Sequence, residues 1–243
     1  MPIETKSDEI THHISQQFNN DLDELRNQLL AMGGAVEKQV SDAIRALIDA
    51  DSELGLSVRE KDTDINYMEV SIDENVSRVL ARRQPAASDL RLVIACTKAA
   101  TDLERIGDEA SKIARFGISL SEQGEAPRGY VEARHIGSHV RKMVQDALNA
   151  FARFDADMAL AVVQEDKSVD REYKSAMREL VTYMMEDPRS ITRVLNIMWV
   201  LRSLERIGDH ARNIAEYVIY LVKGTDVRHI GIKRMKAEVF EDI

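Results

Sequence analysis

The six residues LERIGD stand at 103–108 and again at 204–209, inside the longer echoes DLERIGDEASKIA (102–114) and SLERIGDHARNIA (203–215). The echo is wider than this block. VEKQVSDAIRALIDAD (36–51) is repeated as VRKMVQDALNAFARFD (140–155), and EKDTDIN (60–66) as QEDKSVD (164–170), both at an offset of 104. Pro85 and Pro188 are 103 residues apart, and the LERIGD copies 101. Such small drifts are short insertions or deletions in turns. An internal repeat constrains the fold strongly, because two copies of one pattern build two copies of one unit.

Each unit reads as three helices. Apolar residues recur at helical spacing, and no stretch alternates as a half-buried strand would. The pattern places helices near 8–51, 53–82 and 87–121, and again near 129–154, 157–186 and 189–223. Asp51-Ser52 and Asp155 are helix-start signals, and Gln84-Pro85 and Pro188 are breaks. In helix 87–121 the stripe Leu92, Cys96, Ala99, Leu103, Ile106, Ala110, Ile113, Gly117 steps by four and three. A stripe of that kind buries as the seam of an antiparallel bundle. The fold expected is all-α, two three-helix bundles in tandem with pseudo-twofold symmetry. The units are expected at 1–122 and 129–223, divided in the polar segment SEQGEAPRG (121–129), with a loosely attached tail at 224–243 after Gly224 stops the last helix.

Composition excludes several classes. A net charge of −9 opposes binding to nucleic-acid phosphates. A single cysteine, Cys96, cannot close an intrachain disulfide and sits on the apolar stripe, so it is expected as an inert buried thiol in a cytoplasmic protein. The most apolar runs, LRLVIAC and YVIYLV, are too short to span a bilayer. There is no P-loop, HExxH, CxxC or nucleophile elbow.

The repeated block carries its own chemistry. With Leu103 at zero, Glu104 falls at about 100° and Asp108 at about 140° around the helix, off the apolar stripe. Glu205 and Asp209 take the same places in the second copy. Carboxylates at i and i+4 repel, and a hard cation held by oxygen ligands reverses that sign. A lone ExxxD on a surface helix is an ordinary solvated face; recurrence in register is what makes this one a candidate. Asp166 and Asp170 form a second i, i+4 pair on the preceding helix, where the first unit has Asp62 and Asn66. Acids from neighbouring helices then converge as in a carboxylate-bridged metal site. Asn213, four residues after Asp209, is a further oxygen ligand, whereas Lys112 in the matching place competes with a metal at Asp108. The second unit is therefore expected to bind metal better. Gly107 and Gly208 are expected to mark close helix approach. His135 and His139 form HxxxH, a zinc pair or, more simply, a solvated polar face.

These segments, with RQPAASDLRLV (83–93), AMGGAVEKQVSDAI (31–44), TYMMEDPRS (182–190) and VKGTDVRH (222–229), resemble the PhoU family of bacterial phosphate-transport regulators almost end to end. The resemblance implies two three-helix bundles and no enzymatic activity. It implies a negative regulator of phosphate uptake and of the phosphate-starvation response, an adaptor between a phosphate ABC transporter ATPase and a sensor histidine kinase. A homodimer, reached at the inner membrane only through partners and without insertion, goes with it. Some relatives hold iron or zinc clusters through E(D)xxxD pairs. Carried over, these are Glu104 with Asp108 and Glu205 with Asp209, with Asp166 and Asp170 beside them; magnesium or manganese are further oxygen-loving candidates. The alternatives are a helical carboxylate metalloprotein with a catalytic or storage role and a DNA binder. A di-metal enzyme needs its ligands facing inward, and the LERIGD acids lie off the core. A DNA binder needs a basic recognition helix, which the acidic balance opposes.

Overall fold

The computed structural model describes residues 6–83, 85, 87–122 and 130–240, with side chains from residue 16 onward and Arg83's excepted. Among these residues are seven α-helices: α1 Lys6–Ile48, α2 Ser52–Arg83, α3 Ala87–Ser121, α4 Tyr130–Arg153, α5 Ala156–Glu186, α6 Ile191–Lys223 and α7 Ile232–Phe240. No strand occurs among the described residues. The divide expected at 121–129 falls largely outside them, as does Gln84.

The turns are set locally by the residues the pattern singles out. Asp51 Oδ1 accepts the Leu54 N–H at 2.9 Å, and Asp155 Oδ1 accepts the Met158 N–H at 2.9 Å, each capping the start of a helix. Just before these caps, Ala50 and Phe154, 104 residues apart, both turn left-handed, at φ 52° and 53°. Pro188 opens a short 3-10 turn, Pro188–Ser190, before α6. Gly224 ends α6 at φ 77°, donating its N–H to Tyr220 O at 2.8 Å.

Helices α1, α2 and α3 pack as one three-helix bundle and α4, α5 and α6 as the second. The bundles are joined along two seams, α3 on α6 and α1 on α4. Along the first seam Lys98 meets Tyr217, Asp102 meets Asn213, Glu109 meets Arg206 and Ser119 meets Asn196, so the LERIGD helices run antiparallel. Along the second, Gly33 receives Leu148 and Gly137 receives Ile44: a Cβ on Gly33 would stand 2.4 Å from Leu148 Cδ2, and one on Gly137 3.1 Å from Ile44 Cδ1. Both glycines and both aliphatic residues are 104 apart, so each repeat inserts the same side chain into the same notch of the other.

The stripe of α3 is core as expected. Cys96, Ala99, Leu103, Ile106, Ala110, Ile113 and Gly117 are all buried, and Leu92 packs at the edge. Burial pushes the Cys96 thiol up to about 12, so it is an inert apolar side chain.

Two expectations need correction. The segment after Gly224 is not a loose tail: Val227, Met235 and Val239 are buried, and α7 packs against α5 and α6. Gly208 does not mark a tight approach, since a Cβ there would make only ordinary contact, 3.5 Å from Val140. Gly107 does: a Cβ would stand 3.0 Å from Gln39 Oε1.

Candidate metal centre

Helix α3 presents carboxylates in two directions, toward the seam between the repeats and toward α2, whereas α6 presents its repeated acids toward α5 and meets the seam acids with Arg206, His210 and Asn213. The seam-facing acids are matched. Asp102 is buried on α3, and its Oδ1 lies 2.6 Å from His210 Nδ1 and accepts from Asn213 Nδ2 at 3.1 Å. The Tyr217 hydroxyl also donates to Asp102, and burial together with that carboxylate holds the phenol well above its ordinary range. Glu109, only 3% exposed, has its Oε1 3.0 Å from both Lys112 Nζ and Arg206 Nη1.

The other acids gather in two grooves. Between α5 and α6 lie Asp166, Asp170, Glu205 and Asp209, near enough for their charges to act on one another. Burial first, then the charges of Asp209, Asp170 and Asp166, push the Glu205 carboxyl up. Asp209 is raised by burial and by Asp170. Asp166 is raised mainly by burial, with Arg212 opposing and Asp209 and Asp170 adding to the rise. Three cations border this groove: Arg212 Nη1 lies 3.3 Å from Asp166 Oδ2, Arg202 Nη1 2.9 Å from Glu205 Oε1, and Lys174 Nζ 3.2 Å from Asp170 Oδ2. The second oxygen of Glu205, Oε2, is buried without a hydrogen-bond partner among the described residues.

Between α2 and α3 lies the matching groove. Burial and Asp108 raise the Glu104 carboxyl, with Glu69 and Asp62 adding to the rise. Asp62 is raised by burial and by Asp108, although its Oδ1 accepts from Gln39 Nε2 at 3.0 Å. Gly107 gives that pair room, because its missing side chain would meet both Gln39 and Asp62. Glu69 is a groove acid that sequence reasoning missed. Its spacing of seven from Asp62 puts both on one face of α2, but the second repeat has Tyr173 near the matching place and carries no echo of it.

The structure thus brings Glu104, Asp108 and Asp62 together, and likewise Glu205, Asp209, Asp166 and Asp170. They lie off the apolar stripe, but in half-buried grooves rather than on an open face, and Asp166 is only 7% exposed. Two details differ from expectation. Asn213 turns away from the groove to donate to Asp102 across the seam, so it belongs to the joint between repeats. Lys112 gives its ammonium to Glu109 and acts on Asp62 only through its charge, so it is not a counter-ion fixed on Asp108.

The donors present are oxygen-only and mutually repelling, and in the second groove they include a buried carboxylate oxygen with no partner among the described residues. No three of these carboxylates bring one oxygen each within 4.8 Å of one another, so as they stand they are an open set that a cation would have to draw together. Asp166, Asp170, Glu205 and Asp209 are the residues that would hold an ion there, and Asp62, Glu104 and Asp108 those of the first groove. A bound ion would supply positive charge that offsets their repulsion and ties α5 to α6, or α2 to α3.

A tandem-repeat, all-helical protein with paired carboxylate grooves is the class this geometry defines. The PhoU domain model matches the chain twice, over residues 29–116 and 133–218. The chain is 73% identical, over 232 residues and 96% of each sequence, to the phosphate-specific transport system accessory protein PhoU homolog of Pseudomonas aeruginosa. It is 49% identical over 222 residues to the Escherichia coli accessory protein PhoU, covering 91% of this chain and 92% of that one. The crystal structure of PhoU from Pseudomonas aeruginosa superposes with a TM-score of 0.84 at 72% identity, over 86% of this chain and 100% of that one. The regulatory protein PhoU from Streptococcus pneumoniae superposes at 0.80 with 32% identity, over 86% of this chain and 99% of that one. The chain belongs to the PhoU family.

Proposed function

We propose that this protein is a non-enzymatic negative regulator of phosphate uptake and of the phosphate-starvation response. It acts as an adaptor between the ATPase of a phosphate ABC transporter and a sensor histidine kinase. The observation that carries this reading is end-to-end similarity, across both repeats and the seams between them, to proteins named as accessory to phosphate-specific transport. The pseudo-twofold build supports it, because two similar faces suit contact with two partners or with a second copy. No helix among the described residues is long and apolar enough to cross a membrane, so the reading places the chain at the cytoplasmic face of the inner membrane through its partners.

The carboxylate grooves are the regulatory element in this reading, with iron, zinc, magnesium or manganese as the ions they would take. The test is a phosphate-starvation reporter, such as alkaline phosphatase, in phosphate-rich cells lacking the gene. High output silenced by the wild-type gene supports the regulator. Continued high output with a folded Glu205→Gln, Asp209→Asn protein assigns the signal to the groove. Unchanged low output in the deletion overturns the proposal.

A further inference from the structure

A second kind of ligand set lies elsewhere on the second bundle, between α4 and α5. His135 and His139 are one helical turn apart on α4, so their rings share a face, with centroids 4.6 Å apart. Glu172 on α5 reaches between them. Its Oε2 is 3.1 Å from His135 Nδ1 and its Oε1 is 3.3 Å from His139 Nδ1. One ligand atom from each of the three residues can be chosen so that all lie within 4.8 Å of one another.

We infer that His135, His139 and Glu172 form a binding site for a zinc-class divalent cation, distinct from the carboxylate grooves. Two imidazoles at i and i+4 with a carboxylate from a neighbouring helix are a three-ligand set that suits zinc and leaves a fourth position for water. Imidazole nitrogens select such metals over magnesium or calcium, which prefer oxygen alone. Each of the two separations, 3.1 Å to one carboxylate oxygen and 3.3 Å to the other, is close to the edge of a tetrahedron around an ion about 2.0 Å from each ligand, so a small rotation of the carboxylate would bring one oxygen to both imidazoles. His139 Nδ1 supplies a separate reason. It is a covered nitrogen without an aligned hydrogen bond among the described residues, although Glu172 is adjacent. A buried polar atom left so is uncommon, and coordination would satisfy it. His135 is the exposed member at 64%, so the site opens to solvent on that side. The set has no counterpart in the first bundle. The positions 104 residues earlier are Ala31, Ala35 and Met68, so the site is a property of the second repeat alone.

The test uses the full-length protein after chelator treatment. Zinc binding is measured by calorimetry, and cobalt is added as a coloured stand-in whose visible bands report tetrahedral nitrogen–oxygen coordination. The expected result is zinc binding that excess magnesium does not displace, with cobalt bands in the visible. His139→Gln and Glu172→Gln each weaken zinc by roughly tenfold or more. His135→Gln, at the exposed member, does the same without risk to packing, and helical content is checked for each variant by circular dichroism. The groove variant Glu205→Gln, Asp209→Asn keeps this zinc site. No zinc binding by the wild type, unchanged affinity in the folded histidine variants, or binding lost only in the groove variant would each overturn the assignment and leave Glu172 as a hydrogen-bond partner of His135 and a charged neighbour of His139.

Discussion

The acids on the seam between the repeats and the acids in the grooves are built to different rules. On the seam every buried carboxylate has partners: Asp102 has His210, Asn213 and Tyr217, and Glu109 has Lys112 and Arg206. In the groove of α5 and α6 four carboxylates act on one another through their charges, and one oxygen of Glu205 is buried without a partner among the described residues. The same residue type therefore holds the repeats together at the seam and weakens the fold in the groove. Repulsion that Arg202, Arg212 and Lys174 only partly offset belongs to sites that wait for a ligand, and structural ion pairs are the usual alternative. The seam and the groove should respond to substitution with opposite signs.

The largest effect is expected on the seam. Asp102→Ala strands His210 and Asn213 at a half-buried joint, at a cost of about 1–3 kcal/mol. For a chain of this size that lowers the melting temperature by several degrees. A neutral result in thermal denaturation would break the contrast at its stabilising end.

In the groove the sign reverses. Glu205→Gln with Asp209→Asn removes like charges, and in metal-free protein it should raise stability by about 0.5–1 kcal/mol, or roughly 1–4 °C. Added magnesium or manganese should raise the melting temperature of the wild type and leave this variant unmoved. A variant less stable than wild type in the absence of metal would show that these acids are structural after all.

The pH dependence follows from burial of the groove acids first, and then from the same charges. Asp166, Glu205 and Asp209 all titrate above their ordinary values in the fold. A raised carboxylate means the native state holds more protons than the unfolded chain in the window above the ordinary carboxylate range. The stabilisation it gives is fully present below the unfolded pKa and is lost as pH rises through the folded one. Lowering the pH from neutrality into that window should therefore stabilise the wild type relative to the groove variant. A constant difference between the two melting curves across that range would mean the groove carboxyls are not raised in the fold.

Much of this was legible before any coordinates. The repeat, the helix starts at Asp51 and Asp155, the stop at Gly224 and the stripe through Leu103 are local or periodic signals. The convergence of Asp166 and Asp170 on Glu205 and Asp209 followed from register, because the repeat placed one pair on each of two neighbouring helices. What stayed hidden depends on packing between helices. Asn213 and Lys112 turn toward the α3–α6 seam, which no spacing within one unit defines. Glu172 is far from His139 in sequence and meets it only because α4 and α5 are neighbours. The last helix was masked by its composition: IKRMKAEVF reads as basic and polar, and its anchorage rests on Met235 and Val239, four residues apart.

The smallest expected effect separates the two grooves. In the first, Asp62 already accepts a hydrogen bond from Gln39 at 3.0 Å and feels the charge of Lys112, so less of its repulsion is left for an ion to relieve. In the second, the bordering arginines and Lys174 each engage one oxygen of their partner acid, and Glu205 keeps a buried oxygen unmatched. Asp62→Asn with Glu104→Gln should therefore change metal-free stability by only a few tenths of a kcal/mol. It should remove less of the cation-induced rise in melting temperature than the matching pair in the second groove. If the first-groove pair abolishes that rise while the second-groove pair spares it, the ranking is inverted. Gln39 and Glu69, which have no equivalents in the second repeat, would then be the residues that make the first groove the stronger site.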